Sequence, residues 1–410
     1  MNRLERTIYD LVKKNTKIKN AFRDSYQFIL AVIPQKRIVS NYNIIEREGY
    51  FFGFHDKIPW SHDNKMLLSH KFNIPNREPT KGEQLEIGYF HGKDFKEFKS
   101  LGKTESWNWQ QGSMLQWMNN ENRIIFNDWD GENNIARIID LEGKEVLNLD
   151  RSISAVDNNG VVATSYSFER LNIGMYGYGY ANENDQYKLD KAPKKSGMSI
   201  IELKTGNRKE IFSVYDISEY DPNETMIDAY HFFTHCLFSP TGNRFLFLHR
   251  WYQEGKQLHS RMISCDINGD NIHVFPTGDM VSHITWKSNN EVFAYCNTEK
   301  HGDGYHIFKD KSDEYTKVGS GNFTSDGHPQ YCYESGLIVT DSYPNRFRIQ
   351  ELNIFHIEKN HKKIIAKLWS PRGFKDTVRC DLHPRWDRSG KMLCFDSAHT
   401  GKRSLCTVKL

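Results

Sequence analysis

A strand-and-turn unit recurs seven times along the 410 residues, and this repetition constrains the fold more than any single element does. Each copy holds an apolar or aromatic residue, a short polar turn usually containing Gly or Asn, and then an apolar strand. The copies begin at Trp60, Trp117, Val156, Phe238, Trp286, Tyr331 and Trp386, with the Val156 and Tyr331 copies departing most from the pattern. Successive starts lie 57, 39, 82, 48, 45 and 55 residues apart, mostly near the length of a four-stranded propeller blade with its loops. Asn and Gly accept the positive φ of a tight turn, and the flanking apolar runs suit a buried pleat. No 3.6-residue periodicity crosses these stretches, so a helical solenoid is excluded. The expectation is an all-β, seven-bladed propeller over residues 36–410.

Only two clear strands follow Trp386, at Met392–Phe395 and Ser404–Val408. The last blade therefore needs a strand from elsewhere, and the apolar segment Ile44–Phe54 can supply it, closing the ring without an exposed edge. The widest gap holds an irregular insertion, the Gly174–Tyr180 run followed by the charged Ala181–Ser196, which is expected to lie over one face. Residues 1–35 read as a separate helical extension. Leu4, Ile8, Leu11 and Val12 recur at helical spacing among Arg3, Arg6, Lys13 and Lys14. Such a basic helix either makes a peripheral membrane contact through residues 1–30 or packs on the propeller.

Composition narrows the classes further. Aromatics reach 13%, so the core is expected to be built from large rings, which argues against a coiled coil or disorder. Basic minus acidic residues is 55 − 52 = +3, too balanced for a chain whose main partner is nucleic acid. The seven Cys contain no C-x-x-C pair, so neither a disulfide framework nor a zinc ribbon is visible. The apolar stretch Phe28–Ile33 is too short for a membrane span or a secretion signal, and a cytoplasmic location is expected. Neither a phosphate-binding G-x-x-x-x-G-K-[ST] loop nor a G-x-S-x-G elbow is present.

Alignment of the copies exposes a second regularity three residues ahead of each start. That column reads Lys57, Met114, Ile153, His235, His283, His328 and His383. Residues at one phase of successive blades converge on one mouth of the central channel. Four imidazoles there suit a divalent cation, with His283, His328 and His383 as ligands and Asp326 (like Asp381, two residues ahead of a column His) as a ligand or a partner that orients one. The alternative is that His-x-x-aromatic is a blade signature, with imidazoles bonding neighbouring blades.

The run from His235-Cys-Leu-Phe-Ser-Pro-Thr-Gly to His249-Arg-Trp251, then Cys265-Asp-Ile-Asn-Gly-Asp270 and Ser282-His-Ile-Thr-Trp286, resembles the central blades of oligogalacturonate lyases. His383-Pro-Arg-Trp-Asp-Arg-Ser-Gly is similar to that family's last blade, and also to TolB-like propellers. The resemblance covers roughly residues 230–410. It implies cleavage of a uronate-containing oligosaccharide by β-elimination, with a manganese ion at the channel mouth, His235 as base, and His283 and His328 as metal ligands. The chain departs from the family at two places. Asp326-Gly-His328 with Phe323 stands where the family has a His-x-His pair preceded by Gln, and His249-Arg250-Trp251 shortens a His-Glu-Gly-Pro-Trp segment. In the N-terminal half, the Thr104–Trp117 and Ser165–Leu171 segments resemble ulvan-lyase-type propellers and uncharacterised proteins of bacterial surface-polysaccharide clusters.

Residue chemistry points at the same ligand class. Trp107, Asn108 and Gln110 offer indole faces and amides that stack on sugars and read hydroxyls, unless the indoles are core residues. His249 and Trp251 join them as substrate-binding candidates. Arg170 could pair with a carboxylate, and Tyr178 could protonate the leaving oxygen. The expected function is a metal-assisted lyase on an acidic oligosaccharide or polysaccharide. The alternative is a non-catalytic propeller that binds glycan or scaffolds surface-polysaccharide biosynthesis.

Overall fold

The computed structural model describes residues 36–118 and 122–410. The proposed basic helix and its membrane contact fall in residues 1–35, outside the described residues. Seven antiparallel sheets form a seven-bladed propeller. Each repeat copy begins on a residue paired with the second strand of its blade and leads into that strand. The Trp60 copy begins on an isolated bridge to Leu67, after the innermost strand Tyr50–Phe51 has ended. In blade 4 the innermost and second strands are Tyr230–Phe238 and Arg244–Tyr252, and in blade 7 Arg385–Trp386 and Met392–Ser397. The repeated Trp also ties blades together, because the indole of Trp117 donates to the Pro59 carbonyl at 2.8 Å and that of Trp286 to Leu237 at 3.0 Å.

The N-terminal segment closes the ring as its apolar pattern predicted. Ile44–Glu48 pairs with Ser404–Lys409 as the outermost strand of blade 7, in a register running from Ile44 opposite Val408 to Glu48 opposite Ser404. Ile38–Ser40 adds a fifth strand to blade 6 against His361–Trp369, a pairing the repeat did not announce. Two blades are thus fastened by sequence far away in the chain, each ending on an N-terminal strand. All seven Cys are buried and free. Among the described residues no helix is long and apolar enough to cross a membrane.

The insertion of blade 3 runs from residue 166 to 196 and includes the helix Phe168–Gly174. It crosses the channel mouth toward blade 7. Gly177 has φ +88 and lies so near Thr377 that a Cβ there would come within 2.6 Å of that side chain, so only Gly permits the approach.

Candidate active site at the channel mouth

His235, His283, His328 and His383 meet around the ring of Phe54, at centroid separations of 4.8, 6.0, 6.2 and 5.0 Å. His283 and His383 flank His328 at 4.2 and 4.3 Å. The column residues Met114, His235 and His383 share a left-handed φ of 55, 57 and 42. Strand register also shifts beside His235 and His283. A bulge at this phase turns the side chain from the blade into the channel.

A fifth imidazole, His55, joins the cluster, 5.5 Å from His328 and 5.6 Å from His283 between centroids. It arrives on the Phe52–His55 loop, which is pinned from other blades. The buried Asp396 carboxylate accepts from the Phe52 and Gly53 amides at 3.0 and 2.9 Å, and Gln330 donates to the His55 carbonyl at 2.9 Å. Sequence reading missed His55. It stands two residues ahead of the column residue Lys57, where Asp326 and Asp381 stand relative to His328 and His383, and that second column was the available signal.

Hydrogen bonds decide which ring nitrogens remain free. His328 Nδ1 lies 2.8 and 3.0 Å from the Asp341 carboxylate, and His55 Nδ1 lies 2.9 Å from the Pro329 carbonyl. Each contact places the proton on Nδ1 and leaves the Nε2 lone pair for another partner. Nε2 of His55, His328 and His383 and Oδ1 of Asp381 are all buried with no hydrogen bond. Such orphans are costly unless an ion or water satisfies them. His328, Asp381 and His383 each present a ligand atom, all within 4.8 Å of one another. Two imidazoles and a carboxylate of this kind fit a divalent transition metal.

Asp341 organises this group twice, because its other oxygen accepts from the Leu382 and His383 amides, each at 3.1 Å. Asp326 serves differently from the expected ligand role: its Oδ2 lies 3.0 Å from His283 Nδ1, and the pair stands beside the three-residue group rather than in it.

Burial dominates the electrostatics. It pushes the pKa values of His55, His235 and His383 well below the ordinary imidazole range, with neighbouring imidazoles and, for His235, Arg250 adding to the effect. Burial also lowers His283, partly offset by Asp326. At His328 the same burial is outweighed by Asp341, and its pKa is raised.

Around the imidazoles stands a rim of cations and phenols. Arg379 donates to both the Asp381 carboxylate and the Tyr178 hydroxyl. Burial lowers the Arg250 pKa to about 10, and this guanidinium feels Tyr178, Tyr343 and Asp326. Its Nε donates to Thr234 Oγ1 at 3.2 Å, which in turn lies 2.5 Å from His235 Nδ1. Tyr343 packs 5.3 Å from His328 between ring centroids. The Tyr178 latch closes the mouth, and all five imidazoles are at most 5% exposed.

Several sequence-based candidates belong to the framework instead. Arg170 is buried and all its donors are spent on the carbonyls of His231, Tyr187, Lys188, Asp190 and Lys191, so it anchors the insertion and has no valence for a substrate carboxylate. Trp107 packs with Phe51, Leu85 and Trp109 in the core, its indole donating to the Glu83 carbonyl. Asn108 spends its amide on Tyr178 and its oxygen on the amides of Gln110 and Gln111. Gln110 Nε2 donates to the carbonyls of Thr377 and Arg379, bracing the loop that carries Arg379. His249 is buried between Arg261 and His231, and Trp251 donates to Thr225 while stacking on His259. Neither reaches the channel cluster. Aromatic and amide composition promises sugar binding only where it faces outward, and here it faces in.

No known family profile matches the chain, and no curated protein matches it in sequence. Solved structures do. An oligogalacturonate lyase in complex with manganese superposes with a TM-score of 0.63 at 12% identity, over 92% of this chain and 98% of that one. The oligogalacturonate lyase of Vibrio parahaemolyticus gives 0.60 at 11% identity, over 92% and 98%. What the chains share is the propeller fold. The similarity spans both halves of the chain, beyond the residues 230–410 that carried the likeness in sequence.

Proposed function

We propose that the protein is a metal-assisted lyase that cleaves a uronate-containing glycan by β-elimination. The observation that carries this reading is the set of orphaned ligand atoms on His328, His383 and Asp381, gathered beside His235 and ringed by Arg250, Arg379 and Tyr178. A divalent cation such as manganese, when bound there, would neutralise the uronate carboxylate and so acidify the neighbouring carbon. His328 and His383 would hold it, with Asp381 completing the set.

The chain's own residues supply the remaining requirements. Elimination places more charge on the carboxylate in the transition state than in the ground state, so fixed cations stabilise it differentially. Arg379 and Arg250 would take the role expected of Arg170. Burial and Arg250 depress the His235 pKa, which leaves the ring's lone pair unprotonated to take the proton beside the carboxylate, at some cost in basicity. Arg250 and Thr234 orient that ring. The Tyr178 hydroxyl, held by Arg379, would protonate the leaving oxygen. Since Tyr178 also latches the mouth, substrate entry requires that contact to open.

Incubation with uronate oligosaccharides should yield a product with a C4–C5 double bond, read as ultraviolet absorbance. His235→Gln should cut the rate roughly 10²–10⁴-fold while remaining folded. A modest change would count against the role of His235. The closed mouth gives specific support to a second reading, a non-catalytic glycan-binding or scaffolding propeller for surface-polysaccharide biosynthesis. Measurable affinity for an acidic glycan with no absorbance would favour it.

A further inference from the structure

We infer that a polar cleft between blades 2 and 3 is a separate binding site for a short uncharged saccharide. The cleft encloses ≈ 490 Å³, within the roughly 300–1,000 Å³ of small-molecule sites. Its walls come from the loop joining blades 2 and 3, from the turn at Asn133, and from the insertion of blade 3. None of the five channel imidazoles lines it.

Its chemistry differs from that of the channel mouth. Arg151, Lys195 and Arg208 are matched by Glu169, Asp185 and Glu210, so the lining charge is 3 − 3 = 0 and selects no anion. The rest is amide and hydroxyl: Asn184, Gln186, Tyr187, Ser152 and Ser199 among them. A neutral ligand carrying many hydroxyls is the class such a surface satisfies, since each amide and carboxylate can accept or donate to one or two of them. Apolar walls suited to a lipid or a drug-like ring are missing.

One unspent buried donor points to a ligand beside carboxylates that are already held. Ser152 is only 5% exposed, yet its hydroxyl has no partner. Glu169 is fixed by Asn134 at 2.7 Å and by the Ser167 hydroxyl at 3.2 Å, and Asp185 by the Tyr187 amide at 2.7 Å and the same hydroxyl at 2.5 Å, so the carboxylates are preorganised acceptors. Preorganisation lowers the ordering cost of binding. The same insertion carries Tyr178 over the imidazoles and Asn184–Tyr187 along the cleft, and six residues of chain span at most about 20 Å. Both sites thus share one wall. The inference does not rest on the elimination chemistry and stands or falls separately from it.

The test titrates full-length protein with cellotriose, maltotriose and tri-N-acetylchitotriose, and with trigalacturonate as the charged comparison. Saturable binding of at least one neutral trisaccharide is expected, with hydrogen-exchange protection at residues 184–199. Asn184→Ala/Gln186→Ala, at exposed positions, should weaken it at least tenfold, and His328→Ala/His383→Ala should leave it unchanged. Absence of binding by all three neutral probes at about 20 mM, above a Kd on the order of 1 mM, overturns the inference. So does binding that is lost in the histidine variant and kept in the cleft variant, or protection confined to trigalacturonate.

Discussion

Blades 4 to 7 and blades 1 to 3 present the same backbone phase at the channel mouth and fill it with different chemistry. Met114 of blade 2 has φ 55 and His235 of blade 4 has φ 57, so the left-handed turn at this phase is common to both. One position carries a core thioether and the other an imidazole. Blades 1 to 3 instead provide His55, the pinned loop that brings it, and the insertion that latches over the cluster. The repeat therefore fixes where a side chain arrives, whereas residue identity decides whether that arrival is packing or chemistry. A propeller can build an asymmetric site on a nearly symmetric frame in this way.

The comparison breaks most visibly if the imidazole half is emptied. His328→Ala/His383→Ala should lower divalent metal content from about one per chain to none and remove elimination activity, a loss of roughly 10²–10⁴ or more. Elemental analysis showing equal metal in variant and wild type would sink the metal assignment. Asp341→Asn should cut metal affinity about 10–100-fold, because it frees the His328 ring and the His383 backbone together. A titration with manganese reads this directly, and unchanged affinity would show that Asp341 only packs.

The framework half should fail differently. Arg170→Ala should cost about 3 kcal/mol of stability by stranding buried carbonyls, with kcat/KM of the folded fraction unchanged. A lowered kcat/KM at unaltered melting temperature would instead return Arg170 to the site. In blade 1, burial lowers the His70 pKa to about 4 from an ordinary 6.5. The unfolded chain therefore takes up this proton first as pH falls, and stability is lost between about pH 6.5 and 4, by about 2 kcal/mol at pH 5. Denaturant titrations of wild type and His70→Gln should differ in slope over that window, and parallel curves would contradict it. The smallest effect expected is that of Met114→His. It should fold with a loss of about 1–2 kcal/mol and bind no additional metal, since Gly112 stands two residues ahead of it, where Asp326 and Asp381 stand in their blades. A gain of metal would show that phase alone suffices.

The blades were legible because each copy states its turn chemistry locally: Asn or Gly between apolar runs is a hairpin wherever it occurs. Even the Val156 and Tyr331 copies proved to be blade starts. The imidazole column was legible for the same reason, as it rides on that repeat. Illegible were the groups that reach the site through loops of their own. Arg379 lies four residues ahead of His383 on a loop braced by Gln110 from the junction of blades 1 and 2, and nothing in its neighbourhood of sequence announces that brace. Trp107 and Arg170 show the opposite error. Their residue types suit glycan binding, but the direction in which each points depends on contacts 17 to 61 residues away.

Legible from the residues alone were the all-β propeller, its seven blades, a closing strand within Ile44–Phe54 and the four histidines that share a phase. These follow from short-range patterns: the period-two pleat, the positive-φ turns and the spacing between copies. It took the folded ring to show that His55 completes the cluster, that Asp381 rather than Asp326 stands with His328 and His383, and that Arg379 rather than Arg170 stands beside Tyr178. Ligand sets and hydrogen-bond partners are selected within a few ångströms in space. In a closed ring, that distance joins residues from opposite ends of the chain.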